Sequence, residues 1–137
     1  MSQRNVGIGV LIKGLSSNEE TVRAIQSSIG KRISDVVVIN ENLLISFEDG
    51  TKLNVFDGGQ SCCEHRYMTV DDDLSTHIGE RFLSARTVSA PDVVDDDLET
   101  HEVEFLEITT DKDSFKIANH NEHNGYYGGF DIEAKLA

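Results

Sequence analysis

The stretch VVVINENLLISFEDGTKLNVF, residues 36–56, decides the fold class of this 137-residue chain. It holds three runs of β-branched and other apolar residues, Val36 to Ile39, Leu43 to Phe47 and Thr51 to Phe56. Asn40-Glu41-Asn42 and Glu48-Asp49-Gly50 separate them, and those compositions make tight turns because Asn, Asp and Gly accept the backbone angles a hairpin needs. The pattern predicts an antiparallel meander. Toward the N-terminus the period changes. Ser16 and Ser17 stand three residues before Glu19 and Glu20, two overlapping capping boxes, and Val22, Ile25 and Ile29 follow at helical spacing up to Gly30. One principal amphipathic helix is expected there, preceded by an opening strand over Val6 to Leu15.

Beyond the meander, Cys62 to Val70, Glu80 to Val88, His101 to Thr109, Ser114 to His120 and Tyr126 to Glu133 all have strand composition. Asp71, Asp72 and Asp73 precede Leu74 to Ile78, which predicts a single helical turn stopped at Gly79, since carboxylates satisfy the free amides of a helix start. Ala90 to Glu99 holds the only proline, Pro91, and the run Asp95-Asp96-Asp97, so it reads as a solvated loop. Asn124-Gly125 predicts a two-residue turn joining the last two strands. The fold class is α+β, a mostly antiparallel β-sheet with one principal N-terminal amphipathic helix against it. The length, with no repeat or linker, reads as one domain over residues 1–137.

Thirty-eight percent apolar residues and one proline exclude collagen, mucin and mostly disordered classes. Twelve Lys and Arg against 25 Asp and Glu, a net charge of −13, argue against a groove that tracks phosphates and favour a partner with a basic surface. No direct nucleic-acid binding is expected. Two adjacent cysteines, Cys62 and Cys63, cannot make the spaced cross-links of a small secreted domain, so both are expected reduced in a reducing compartment. No export signal or membrane span is expected, because the longest apolar stretch near the start falls far short of ~20 residues.

Three clusters carry candidate chemistry. Gln60-Ser61-Cys62-Cys63-Glu64-His65, followed by Arg66, holds thiol, imidazole and carboxylate, all metal ligands. Alternation along a strand puts Cys63 and His65 on one face and Cys62 and Glu64 on the other, so a metal needs more ligands, from His120, Glu122 and His123. No stoichiometric metal and no cofactor are expected. The second cluster is Asn124 with Tyr126 and Tyr127, where a tyrosine beside Asn and His donors suits a base or a peptide. The third is acidic: Asp95, Asp96 and Asp97 in a loop, then Glu102 and Glu104 alternating with Val103 and Phe105, which predicts a carboxylate row opposite a buried apolar side. Such a row imitates phosphate spacing for a basic protein.

The order of Gln60-Ser61-Cys62-Cys63-Glu64, then Leu74 with Ile78-Gly79, then Asn124-Gly125-Tyr126-Tyr127, over about residues 30 to 133, resembles small phage and prophage proteins of an uncharacterised family that shares QxCCE and NGYY motifs. The resemblance implies a phage context and a location in the cytoplasm of the host bacterium. It implies an accessory protein that antagonises a bacterial defence, by occupying a protein effector through the acidic face or by sequestering its nucleotide signal. The second route needs Arg66, Arg81 and Arg86 beside Tyr126 or Tyr127, and an oligomer. The competing class is a small metal- or thiol-dependent enzyme centred on Cys62, Cys63, Glu64, His65, His120 and His123. A third is a virion or replication part without chemistry.

Overall fold

A computed structural model describes residues 13–59, 64–89, 93–94, 100–123 and 128–137. Its elements are helix α1 (Glu19–Ser28) and strands β1 (Ile33–Ile39), β2 (Asn42–Phe47), β3 (Lys52–Asp57), β4 (Glu64–Thr69), β5 (Phe82–Ser89), β6 (Val93–Val94), β7 (Thr100–Thr110), β8 (Ser114–His123) and β9 (Ile132–Leu136), with a 3-10 turn over Leu74–His77. Most of the expected opening strand lies outside the described residues. No described helix is long and apolar enough to cross a membrane.

The helix starts at Asn18, whose side chain accepts from the Thr21 amide at 2.8 Å, and not at the expected Ser16 or Ser17. Asn18 sits in extended conformation immediately before the first turn, where its carbonyl reaches a free amide. The buried stripe is Thr21, Ala24, Ile25 and Ser28, while Val22 and Ile29 are only partly covered. Small side chains let α1 lie close on β9, and the polar ones are satisfied: Thr21 Oγ1 accepts from the Ala134 amide at 3.1 Å and Ser28 Oγ donates to the Ala24 carbonyl at 2.8 Å.

The meander forms as expected, with Ile39 opposite Asn42 and the two turn residues Asn40 and Glu41 at φ 49 and 67°. Leu43, Ile45, Phe47, Leu53 and Val55 alternate inward and are buried. Asp73 caps the 3-10 turn by accepting from the Ser75 amide at 3.0 Å.

Two antiparallel sheets stand where one was expected. The first runs β1-β2-β3-β9 and the second β4-β8-β7-β5, with β6 on β7, so the segment expected to be only a solvated loop carries a short strand. The last two strands are not a hairpin. Both edges of β8 are taken by β4 and β7, and β9 completes the free edge of β3, where Ile132 and Ala134 become buried. The strand expected over Tyr126 to Glu133 shifts accordingly to Ile132–Leu136, and the Asn124-Gly125 turn lies outside the described residues. Backbone bonds from the Ile33 amide to the Glu80 carbonyl and from the Phe82 amide to the Lys31 carbonyl tie β1 to the start of β5. Residues of both sheets and of α1 share one buried apolar cluster.

That interior changes character along the second sheet. Inward positions on β8 run Phe115, Ile117, Asn119, Asn121, His123, all buried, so the alternation continues while apolar side chains give way to polar ones. On β7, Leu106 and Ile108 give way to Glu104 and Glu102 in the same sense.

Candidate functional site

The polar end is built from rows of paired residues, since partners across adjacent strands point to the same face. Glu64, His123 and Thr100 form the terminal row, Arg66, Asn121 and Glu102 the next but one, and Met68, Asn119 and Glu104 the row after a further alternation. Asp57 of β3, continuing the inward alternation of Leu53 and Val55, meets this group from the first sheet. Arg66 Nη1 donates to Asp57 Oδ1 at 2.8 Å and Nη2 to Glu64 Oε2 at 2.9 Å, with side-chain exposures of only 8, 9 and 2% for Arg66, Asp57 and Glu64. Burial alone disfavours the Arg66 charge, but the bonds and charges of Glu64 and Asp57 outweigh it and raise its pKa. Asn121 Nδ2 donates to Glu64 Oε2 at 2.8 Å and to the Gly129 carbonyl at 3.0 Å. Glu102 Oε1 lies 2.8 Å from His123 Nε2 and accepts from the Gly129 amide at 2.9 Å.

Desolvating so many polar groups costs stability unless each is paired, so such a network reads as a positioning device more than as a source of stability. What it positions are the chain segments that bracket the two motifs. Asp57 Oδ1 accepts from the Gly59 amide at 3.0 Å, just before residues 60–63, while Asn121 and Glu102 hold Gly129, just after residues 124–127. At both bases the network packs close against bare backbone, so a side chain there would displace it. A Cβ on Gly59 would lie 2.6 Å from Arg66 Nη1, and one on Gly128 2.6 Å from Glu102 Oε1.

The opposite face of the same strands carries a ring cluster. Tyr67 stacks on His120 with centroids 4.5 Å apart and planes within 3°, and His65 and His101 flank them. Thr69 Oγ1 lies 2.8 Å from His120 Nε2, and His120 Nδ1 2.8 Å from His101 Nε2. Tyr67 donates to Glu122, and burial with that carboxylate pushes its pKa up to about 12. Two imidazole nitrogens at that distance share one proton, so the pair holds together while at least one ring is neutral. Burial, then the charge of His101, lowers the pKa of His120 below 6.5, only partly opposed by Glu122 and Asp71. Unfolded His120 then takes up a proton at higher pH than folded His120, so its contribution is full above the unfolded pKa and is lost as pH falls from there through the folded pKa. Thermal melts at constant ionic strength between about pH 7.5 and 5 should show a midpoint that falls with acid, less steeply in His120→Gln. Equal slopes in both proteins would contradict this.

A family model for a domain of unknown function, DUF7448, matches residues 26–132. The chain belongs to that family. The match runs from within α1 to the first residue of β9, so the DUF7448 region contains the whole second sheet and its polar end. No curated protein and no solved structure matches the chain.

Of the residues singled out from sequence, Cys62, Cys63, Asp95, Asp96, Asp97, Asn124, Tyr126 and Tyr127 lie outside the described residues. The metal-ligating set divides between the two faces: His65, His120 and Glu122 on the outer one, Glu64 and His123 on the inner one. Among the described residues no three His, Cys, Asp or Glu side chains form a group able to hold a metal ion. The carboxylate row is reversed from expectation. Glu102 and Glu104 face the interior side with Leu106 and Ile108, and Val103 and Phe105 take the other side, half-buried. The run from Glu104 through Ile108 sets the phase, and burying Leu106 and Ile108 outweighs burying Val103 and Phe105. The arginines do not converge: Arg66 is held by Asp57 and Glu64, Arg81 donates to the Gly30 carbonyl beyond the far end of β7, and Arg86 pairs with Glu107. Asp57, Asn121 and His101 were not singled out. The signal for Asn121 was there to read, as Phe115, Ile117, Asn119, Asn121 and His123 keep one strict period of two.

Proposed function

We propose that this DUF7448 protein is a phage-encoded accessory binding protein that antagonises a bacterial defence system in the host cytoplasm by occupying a protein effector. One observation carries the reading. Glu64 starts β4, His123 ends β8 and Thr100 starts β7, and these residues are register partners, so the chain enters β4 and β7 and leaves β8 at the same end of one sheet. A buried network that holds Gly59 and Gly129 at that common end supports recognition, because a rigid base lowers the ordering cost of whatever binds there. A protein target is favoured over a nucleotide because Arg66, Arg81 and Arg86 are spread apart and each is bonded to the chain itself. The chain's net charge of −13 favours a basic partner surface.

The test is twofold. Native mass spectrometry of protein purified from bacterial cells reports what travels with it, and plating of phage on hosts carrying a panel of defences reports protection. A stoichiometric protein partner drawn from a defence that the chain neutralises is the expected result. A co-purified nucleotide would redirect the reading to signal sequestration, and a bound metal with turnover to the enzyme class. Failure to protect against any defence, with no partner bound, would overturn it.

A further inference from the structure

Beside the network lies a cavity of about 350 Å³ lined by Thr87 and Ser89 of β5, Glu102 and Glu104 of β7, and Gly129 and Phe130 among others, with no basic residue among the described residues of its wall. Its chemistry is one-sided: two carboxylates, two hydroxyls and an aromatic ring. Burial, opposed by a bond from Thr87 and reinforced by Asp57 and Glu102, holds the Glu104 pKa above the usual carboxylate range. The row partners of these glutamates add to the imbalance. Asn121 and Asn119, 0 and 1% exposed, share that face of the sheet, and the Oδ1 of each is buried with no hydrogen-bond partner among the described residues, as is Asp57 Oδ2. Buried polar atoms are nearly always bonded, so these three acceptors, on residues that adjoin the two glutamates without lining the cavity, add to its acceptor-rich surroundings.

We propose that this cavity receives a guanidinium, the side chain of an arginine on the protein that this chain binds. The inference rests on the binding reading above and names the contact through which it operates. Guanidinium carries five N–H donors in a planar fork and a delocalised charge, is weakly hydrated, and stacks on aromatic faces, which suits paired carboxylates beside Phe130. An ammonium brings three donors and holds its water more tightly. A bare metal ion needs converging ligands, and the described residues provide no such group of three.

The full chain, isotope-labelled, is titrated with N-acetyl-arginine amide, with the citrulline analogue as neutral isostere and the lysine analogue as ammonium control. The arginine probe should shift the backbone amides of Ser89 and Gly129 and bind about tenfold more tightly than citrulline, the scale of one charge-assisted contact. Lysine should fall between them. Glu104→Gln should weaken the arginine probe about tenfold while keeping or raising the melting midpoint near neutral pH, because glutamine imitates the protonated acid that burial favours. Shifts that avoid Ser89 and Gly129, equal binding of citrulline, or a folded Glu104→Gln that binds arginine as before would each overturn the site. The two proposals fail separately. A chain that neutralises a defence while its cavity ignores the arginine probe loses this inference and keeps the binding reading. A cavity that takes the probe in a chain with no partner and no protection loses the binding reading instead.

Discussion

Arg66→Ala is expected to destabilise the protein by about 3–5 kcal/mol, the cost of breaking a buried ion pair from one side. Asp57 and Glu64, each less than a tenth exposed, would then face each other's charge across a space without their shared guanidinium. For a chain of this size the midpoint should drop by roughly 10 °C or more. Arg66→Lys should fall between, since one ammonium cannot fork to Asp57 and Glu64 as two guanidinium nitrogens do. Thermal and urea melts at neutral pH decide it. A loss under about 1 kcal/mol, the scale of an exposed pair, would mean that the network is not the clamp between the sheets.

Phe82→Ala is expected to cost about 3–5 kcal/mol through lost transfer energy and the cavity left behind. Phe82 is fully buried on β5, its ring meets Phe47 of β2 edge-on at 6.2 Å, and its backbone pairs with Gly30 and Lys31. It therefore joins both sheets to the end of α1, and the variant should lose secondary and tertiary signals in one transition at a lower midpoint. Its neighbour Leu83 is 36% exposed, and Leu83→Ala should shift stability by about 0.5 kcal/mol or less. Separate transitions for the two signals in Phe82→Ala would show that the sheets do not melt as one core.

Local chemistry decided what could be read without coordinates. The turns at Asn40-Glu41 and Glu48-Asp49-Gly50 and the acidic cap at Asp73 need only neighbours in the chain, and they stand where their residues require. Strands β1 to β3 follow because short hairpins leave little choice of pairing. The helix was legible as an element, but its buried stripe was not, since a small polar residue such as Thr21 is buried only if a partner such as the Ala134 amide waits for it.

The sequence by itself determined strands β1 to β5, β7 and β8, the tight turns between β1, β2 and β3, and that the Cys-Cys, acidic and Tyr-Tyr stretches differ from the rest of the chain. Only the tertiary structure decided that there are two sheets, that β9 pairs with β3 and not with β8, and that Glu102 and Glu104 turn inward. It alone joined Asp57, Arg66, Asn121 and Glu102 into one buried network. The reason is that a period of two says which side chains share a face but not which face meets the core. That choice is made by the summed burial of every strand in the sheet, and a charge is buried only where residues distant in the chain arrive to pair with it.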